Sequence, residues 1–162
     1  MSQNTFKGTF ITGYHDTSIT NPGASDPTKD DSYRFFPEQY INWASYKSIP
    51  NSVSELDSYV NTNNQLVRKV AKTTRSKIEF NTIPITDVEL NAIWKWIKDN
   101  MINSYEKKLK IIAWNEQDHE YQLYEVYVPD ITYTAKKHDA NHIYYDSIRF
   151  AFITYGDGSS LT

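Results

Sequence analysis

The stretch NQLVRKVAKTTRSKIEFNTIPITDVELNAIWKWI, residues 64–97, decides the fold class of this chain. Its first half contains two segments, QLVRKVAK (65–72) and SKIEFNT (76–82), in which apolar and polar residues alternate. This alternation is typical of half-buried strands, and the short connection between the segments predicts a hairpin. In the second segment Ile78 and Phe80 share one face of the predicted strand. The first half of the stretch therefore predicts β-structure with a buried face.

The second half of the stretch predicts an amphipathic helix over about residues 86–102. Thr86 and Glu89 have the T-x-x-E spacing of a capping box, and Ile85 before the cap is placed to pack against Leu90. The apolar residues at helical spacing are Leu90, Ile93, Ile97 and Met101, flanked by Trp94. One face of this helix is therefore expected to be buried.

Other segments of the chain are also predicted to be strands. They are TFKGTFITGY (5–14), KKLKIIAW (107–114), HEYQLYEVYV (119–128) and IYYDSIRFAFITY (143–155). The second and third are expected to pair across the turn NEQD, and the last is expected to bury Ile148, Phe150 and Phe152 on one face. Because helices do not alternate regularly with strands, this order predicts a mainly β fold, an antiparallel β-sandwich or barrel with one flanking helix.

The chain of 162 residues is expected to form a single domain over residues 1–162. The β-sandwich body with its helix is predicted to span residues 64–155. Residues 14–59 contain four of the six prolines together with many Ser, Asn and Asp residues. Such a composition predicts a long loop or arm, and a loop of this length in a compact domain is usually functional. Within it the stretch SYRFFPEQYINWASY (32–46) is more apolar, which is compatible with a short helix or strand laid against a surface.

Composition and charge exclude several classes of protein. The chain has no cysteine, which excludes disulfides and Cys-ligated metals. Its formal net charge of -3 gives no global attraction to nucleic acid. The first residues, MSQNTFKGTF, lack the apolar region of a secretory signal, and no run approaches the roughly 18 apolar residues of a membrane helix. We therefore expect a protein made in a cytoplasm, without a membrane anchor.

No motif in the sequence predicts catalysis. His138 and His142 are spaced like metal ligands on a helix, but their polar neighbours indicate a loop, and no third ligand is evident nearby. There is no G-x-S-x-G nucleophile turn, and GDGSS (156–160) lacks the lysine and helix of a phosphate loop and is predicted to be a frayed tail. The sequence therefore predicts a protein that is not an enzyme and has no metal site or cofactor.

Basic and aromatic residues are the candidates for a subunit interface, because long basic stems and tyrosines cover neighbouring surfaces well. These candidates are Arg68, Lys72, Arg75, Lys77, Tyr124, Tyr144 and Tyr145. An alternative is a nucleic-acid-binding β-barrel that uses the basic face from Arg68 to Lys77. A carbohydrate-binding module with Trp43 and Trp114 stacking on sugar rings is a further hypothesis.

Residues 64–155 resemble small tail proteins of bacteriophages that infect Gram-positive hosts. The shared pattern is N-x-L-x-R, then R-x-K-I-E followed by an apolar residue, a Thr-capped amphipathic helix, and a closing aromatic strand such as IYYDSIRFAFITY. The order of elements is also similar to the fold of tail-tube proteins and of the N-terminal ring domain of distal tail proteins, a β-sandwich with one flanking helix.

The resemblance implies a virion structural protein that assembles with itself into a ring, commonly of six subunits, around the tail channel. Its partners would be further copies of itself and other phage tail proteins, with phage DNA present only as cargo in the channel. A tail-tube subunit, a distal-tail or baseplate-hub ring and an adaptor all remain open, because the segment 14–59 departs from the compact pattern of the family.

Overall fold

The computed structural model describes residues 5–15 and 21–161 of the chain. Within these residues the backbone forms antiparallel sheets, an α-helix and a short 3-10 helix at Glu38–Tyr40. In chain order the elements are β1 (Ile11–Gly13), β2 (Ile41–Ser52), β3 (Glu55–Val60), β4 (Leu66–Val70), β5 (Arg75–Thr82), β6 (Ile85–Thr86), α1 (Asp87–Asp99), β7 (Met101–Asn103), β8 (Lys108–Asn115), β9 (Glu120–Tyr127), β10 (Ala135–His138), β11 (Ile143–Tyr145), β12 (Arg149–Thr154) and β13 (Ser159–Ser160). The predicted fold class, mainly β with one flanking helix, is therefore confirmed.

The helix α1 begins at the predicted capping box. The backbone N–H of Glu89 donates to Thr86 Oγ1 at 3.4 Å, and the N–H of Thr86 donates to Glu89 Oε1 at 3.2 Å. The helix ends at Asp99, because the chain then turns back and Met101 pairs with Leu109 in the β7–β8 ladder. The predicted end near residue 102 is therefore wrong, and Met101 belongs to a strand.

One face of α1 is buried, as predicted. The tryptophan buried on that face is Trp96, whereas the sequence had placed Trp94 beside the apolar stripe. Ile93, Trp96 and Ile97 are buried and lie three and four residues apart, on the same side of the helix. Trp94 is only partly buried, and its Nε1 donates to the Tyr133 hydroxyl at 2.8 Å. The apolar stripe alone did not identify Trp96 as a core residue.

The main sheet has the strand order β1-β8-β9-β12-β5-β2, with β7 paired to β8 and β13 paired to β9. The predicted pairing of β8 with β9 is confirmed, and the ladder runs to Asn115 and Glu120 beside the turn. The sheet curls so that its two end strands come close together. The ring centroid of Phe10, next to β1, lies 5.3 Å from that of Trp43 and 5.0 Å from that of Tyr46, and both of these residues are in β2. The two ends of the strand order therefore approach each other, as in a sandwich or barrel.

The core lies between the curled sheet and α1. Ile78 and Phe80 of β5 are buried on the predicted face, and Ile148, Phe150 and Phe152 are buried as predicted for the last long strand. Phe80 faces Phe150 across the β5–β12 ladder, with their ring centroids 6.0 Å apart. These two neighbouring strands therefore supply the aromatic floor on which the helix packs.

Phe36 joins the helix to this floor. Its ring centroid lies 5.0 Å from that of Trp96 on α1, 5.4 Å from that of Phe80 and 6.0 Å from that of Phe152. Phe36 lies in the segment before β2, so its contacts with Phe80 and Phe152 join this segment to the sheet, and its contact with Trp96 joins it to the helix. Phe36 is therefore a central core residue, although it lies in the segment predicted to be a loop.

The predicted hairpin within residues 65–82 is wrong, because its two strands have other partners. β4 pairs with β3, with Val60 opposite Leu66 and Tyr59 opposite Val67. β5 lies instead between β2 and β12 in the main sheet. Alternation of apolar and polar residues identifies a strand but not its partner, and here the partner of each strand lies elsewhere in the chain.

The predicted loop over residues 14–59 is also wrong in its second half. Residues 41–52 form β2, an end strand of the main sheet, and residues 55–60 form β3. Residues 21–37 consist of turns and irregular backbone, with a bridge from Phe35 to Thr12, and residues 16–20 lie outside the described part of the chain. The second half of the predicted loop is therefore part of the β-structure.

The C-terminal segment is ordered by pairing, so its prediction as a frayed tail is wrong. Ser159 and Ser160 of β13 lie opposite Leu123 and Gln122 of β9. Asp157 Oδ1 accepts a hydrogen bond from the backbone N–H of Thr74 at 2.7 Å. The segment therefore extends the sheet and does not form a phosphate-binding loop.

We expect the substitution Phe80→Ala to lower the free energy of unfolding by about 3–5 kcal/mol, because it leaves a cavity at the centre of the aromatic floor. Asn81→Ala, one residue further along β5 and exposed, is the matched control and should change it by less than about 0.5 kcal/mol. Urea denaturation followed by circular dichroism measures both. Equal effects of the two substitutions would contradict the assigned core.

Candidate functional site

The two-stranded sheet formed by the hairpin of β3 and β4 is the most exposed of the sheets in the described part of the chain. Every residue of β3 is exposed, and so is every residue of β4 except the half-buried Val67. Its large apolar side chains include Leu56, Val60 and Leu66, which are 70%, 60% and 63% exposed. Single exposed apolar residues are common on proteins, but several on one short hairpin indicate an interaction surface.

Hydrogen bonds within its own turn connect the two strands of the hairpin. The N–H of Asn61 donates to the carbonyl of Gln65 at 2.9 Å, and Asn64 adopts a left-handed φ of 61°, which Asn tolerates well. Among the described residues β3 and β4 pair with each other and form a separate two-stranded sheet. Because an isolated two-stranded hairpin is marginally stable in water, a partner that covers it would stabilise it.

The two strands of the hairpin carry opposite charges. β3 contains Glu55 and Asp57, whereas β4 contains Arg68 and Lys69. Arg68 Nε donates to Glu55 Oε1 at 2.7 Å, so this pair is neutralised within the hairpin. β3 is therefore the acidic strand of the hairpin and β4 the basic strand, with Asp57 opposite Lys69 in the ladder.

A second surface lies on the three-stranded sheet with the order β10-β11-β6. A groove with a volume of about 410 Å³ crosses this sheet. It is lined by Pro84, Ile85, Thr86, Lys136, Lys137, Tyr144 and Tyr145. An apolar and aromatic floor with lysines along one side suits a partner that is itself part apolar and part acidic.

Contacts within this second surface hold its side chains in place. Lys137 Nζ lies 4.9 Å from the centroid of the Tyr144 ring, a cation–π arrangement. The Tyr144 hydroxyl donates to Asp139 Oδ2 at 3.1 Å, and this hydrogen bond together with the nearby negative charge raises the pKa of Tyr144. The groove is therefore a partly organised surface.

The structure places the predicted interface residues in different parts of the molecule. Tyr144 and Tyr145 are brought together in the groove, alongside Lys136 and Lys137, which the sequence-based prediction missed. The dipeptide Lys136-Lys137 was visible in the sequence, but its position beside the two tyrosines results from the pairing of β10 with β11. Sequence spacing alone did not reveal that pairing.

The predicted basic face from Arg68 to Lys77 is not continuous. Arg68 belongs to the exposed hairpin, whereas Arg75 and Lys77 belong to β5 of the main sheet, and Lys72 lies exposed on the connection between them. Lys77 Nζ lies 3.3 Å from Glu79 Oε2. The basic residues are thus distributed over two sheets and partly neutralised, which does not favour a strip of phosphate contacts.

Glu79 shows how the charges on β5 are compensated. Its carboxylate accepts a hydrogen bond from Arg149 on the neighbouring strand and one from Lys77, and these bonds hold the pKa of Glu79 below its usual value. The pair on β5 and β12 is therefore a cross-strand ion pair on the solvent side of the sheet.

Tyr124 is not available for a subunit contact, so its prediction as an interface residue is wrong. It is 3% exposed, its hydroxyl donates to Gln122 Oε1 at 2.9 Å, and it accepts from Asn115 Nδ2 at 2.7 Å. Burial raises the pKa of Tyr124. Trp114 is likewise only 8% exposed, so its ring is not available to stack on a sugar as the carbohydrate-binding hypothesis requires.

The two histidines spaced four residues apart lie on the two sides of the turn between β10 and β11, and not on a helix. His138 ends β10, and His142 Nδ1 lies 3.2 Å from Asp87 Oδ1 at the start of α1. Within the described residues no three His, Asp or Glu side chains are grouped in a way that would hold a metal ion. In the same part of the chain, no helix has both the length and the apolar character needed to cross a membrane.

Comparison with known proteins assigns the chain to a family. Residues 29–155 match the family described as "Family of unknown function (DUF6711)". The match covers 127 residues (155 − 29 + 1) of the 162 and extends from the turn-rich segment to the end of β12. No curated protein and no solved structure matches the chain.

We expect Leu66→Ala in the hairpin to change the free energy of unfolding of the dilute protein by less than about 0.5 kcal/mol. Leu109→Ala, the same substitution at a fully buried position of β8, should lower it by about 2–5 kcal/mol. Urea denaturation distinguishes the two. A cost at Leu66 that matches the cost at Leu109 would show that the hairpin packs against the body and is not free to bind a partner.

Proposed function

This chain belongs to the DUF6711 family, and we propose that it is a structural protein of a bacteriophage tail, not an enzyme, that assembles with itself into a ring around the tail channel. The resemblance of residues 64–155 to small phage tail proteins supports the tail assignment. A mainly β fold with one flanking helix agrees with that resemblance.

The observation that carries the proposal is the exposed hairpin of β3 and β4. Leu56, Tyr59, Val60, Leu66 and Val70 all have 42% or more of their surface exposed. Burial of apolar surface contributes roughly 25 cal/mol for each Å², so covering these side chains would favour association. An exposed apolar hairpin of this kind is typical of a protein that binds a neighbouring molecule.

Two different surfaces on each copy favour a ring over a simple dimer. The hairpin and the groove at Tyr144 and Tyr145 are formed by separate sheets and carry different side chains. When a surface on one copy binds a different surface on the next, the contact is heterologous, and it closes into a ring if the rotation between copies allows. A rotation of one sixth of a turn would give the six copies that the family resemblance implies.

The protein would then be located in the virion tail after synthesis in the cytoplasm of the bacterial host. Its partners would be neighbouring copies and other tail proteins, with phage DNA passing through the channel as cargo. A tail-tube subunit stacks on itself, whereas an adaptor or a distal-tail ring has unlike partners on its two sides. These members of the class differ in whether rings of the pure protein stack.

Light scattering after gel filtration, combined with negative-stain microscopy, tests the proposal. We expect the purified protein to form closed rings at micromolar concentration. Rings that stay single indicate a distal-tail or adaptor component, and long hollow tubes indicate a tail-tube subunit. A protein that is monomeric at every concentration would contradict self-assembly as the proposed function.

We expect Leu66→Glu to prevent assembly, because it places a charge on the apolar surface of the hairpin that a neighbour would bury. Ile102→Glu is a matched control, since Ile102 is 50% exposed on β7 of the main sheet and lines neither surface, while Leu66 is 63% exposed. Both variants should unfold at the same temperature as the natural protein. Unchanged assembly of the Leu66→Glu variant would exclude the hairpin from the interface.

A further inference from the structure

The ends of the main sheet are not suited to adding a strand from another molecule. β1 is three residues long, and its outer side is bridged by Phe35 and by a hydrogen bond from the Gly13 N–H to the Arg34 carbonyl. Short and covered edges resist pairing with other chains. The first edge of the main sheet is therefore closed.

The other end strand, β2, is long but irregular. Its pairing with β5 is interrupted twice, it contains Pro50, and Asn51 has a left-handed φ of 53°. It is also tied to the β8–β9 turn, because Ser48 Oγ donates to Glu116 Oε2 at 2.7 Å. Bulges and proline on an edge strand prevent regular ladder formation, so β2 is protected as well.

Two strands of the smaller sheets, β3 and β10, remain open to a partner, and each has one irregularity in its ladder, whereas β2 has two. Among the described residues β3 pairs with β4, and β10 pairs with β11, so each has an outer edge without a ladder. All residues of β3 and of β10 are exposed. These outer edges present backbone donors and acceptors to solvent, which is the requirement for strand addition.

The charges on these two edges are complementary. β3 has the sequence ELDSYV and carries Asp57 as well as Glu55, which is already paired with Arg68, while β10 has the sequence AKKH and carries Lys136 and Lys137. Within the described residues Asp57, Lys136 and Lys137 take part in no ion pair. The basic strand β4 could not replace β3, because its cationic side chains would then face the lysines of β10. Complementary charges of this kind set the identity and orientation of partners.

We propose that β3 of one copy adds to the outer edge of β10 of a second copy, with Asp57 and Tyr59 directed toward the groove that contains Lys137 and Tyr144. Residues two apart on a strand share a face, so Asp57 and Tyr59 would reach the groove together. The groove would then hold one acidic and one aromatic side chain against its own lysine and tyrosines. This inference rests on the proposed self-assembly and names the surfaces that produce it.

Each copy would give its β3 to one neighbour and accept β3 of another at its β10. Such a contact is heterologous, and repeating it around an axis generates a ring without an exposed hairpin. The main-chain hydrogen bonds would supply affinity, while the side chains in the groove would supply register. The hairpin would also gain the third strand that a stable sheet in water needs.

Charge reversal on each strand tests the contact. The first variant carries Asp57→Lys. The second variant carries both Lys136→Glu and Lys137→Glu. Each variant places like charges on the two strands at the proposed contact. We expect each variant to need at least about tenfold more protein to assemble. Mixing the two variants at equal amounts should restore assembly. The introduced lysine on β3 of the first variant then faces the introduced glutamates of the second, and the unchanged Asp57 of the second faces the natural lysines of the first.

Lys72→Glu is the matched control, because Lys72 is an exposed lysine on the connection outside both strands. It should assemble like the natural protein. All variants change exposed residues, so their melting temperatures should be unchanged, and this measurement separates lost assembly from lost folding. Light scattering over a range of protein concentrations gives the assembly midpoint for each.

Engineered disulfides give a second and independent measurement. The chain contains no cysteine, so Asp57→Cys combined with Lys136→Cys or with Lys137→Cys introduces only the cysteines under test. A disulfide requires Cα atoms within about 7 Å, so oxidation should link copies only if β3 and β10 lie side by side. We expect a ladder of covalent multimers on a non-reducing gel, because a heterologous contact continues from copy to copy.

The outcomes separate the two proposals. If the natural protein assembles but the reversed variants assemble equally well and the cysteine pairs do not cross-link, the strand-addition contact is wrong and self-assembly stands. If the natural protein remains monomeric at every concentration, both the proposed function and this contact are contradicted. Cross-linked dimers without higher multimers would show that the contact is symmetric between two copies. The heterologous contact and the ring would then both be contradicted.

Discussion

Phe36 makes the contact on which the arrangement of the helix and the sheet depends. Its ring touches Trp96 on α1 and both Phe80 and Phe152 on the sheet, so it fills the space where the two layers meet. Edge-to-face contacts of this type add to the free energy that burial of the rings already contributes. Because these rings are packed closely, the helix has one position on the sheet, and the start of β2 is held beside it.

This core determines which surfaces remain for binding. The curled sheet buries one face against α1 and brings β1 and β2 close together, so its two ends are unsuitable for strand addition. The β3–β4 hairpin and the three-stranded sheet of β10, β11 and β6 lie outside this closed arrangement. Their exposed edges have opposite charges, and the apolar side chains of the hairpin have no place in the core. The division between a closed body and two open sheets is the reason we propose self-assembly.

The candidate site illustrates how residue type and residue position differ in what they reveal. Tyr124, Tyr144 and Tyr145 look alike in the sequence, yet Tyr124 is buried with two hydrogen-bond partners while the other two line a groove. Similarly, Arg68 and Lys77 were predicted to share one basic face, yet they lie in different sheets. A tyrosine or a basic residue on a strand can serve either the core or the surface, and only the packing around it decides which.

The sequence by itself determined the features that depend on neighbours within a few residues. The capping box at Thr86 and Glu89, the buried face of β5 and the β8–β9 hairpin all follow from short-range hydrogen bonding or from the period of apolar residues, and each was predicted. The tertiary structure decided the partners of β4 and β5, the core position of Phe36 and the exposure of the β3–β4 hairpin. These features depend on distant segments competing to bury the same apolar surface, and local periodicity contains no information about which of them wins.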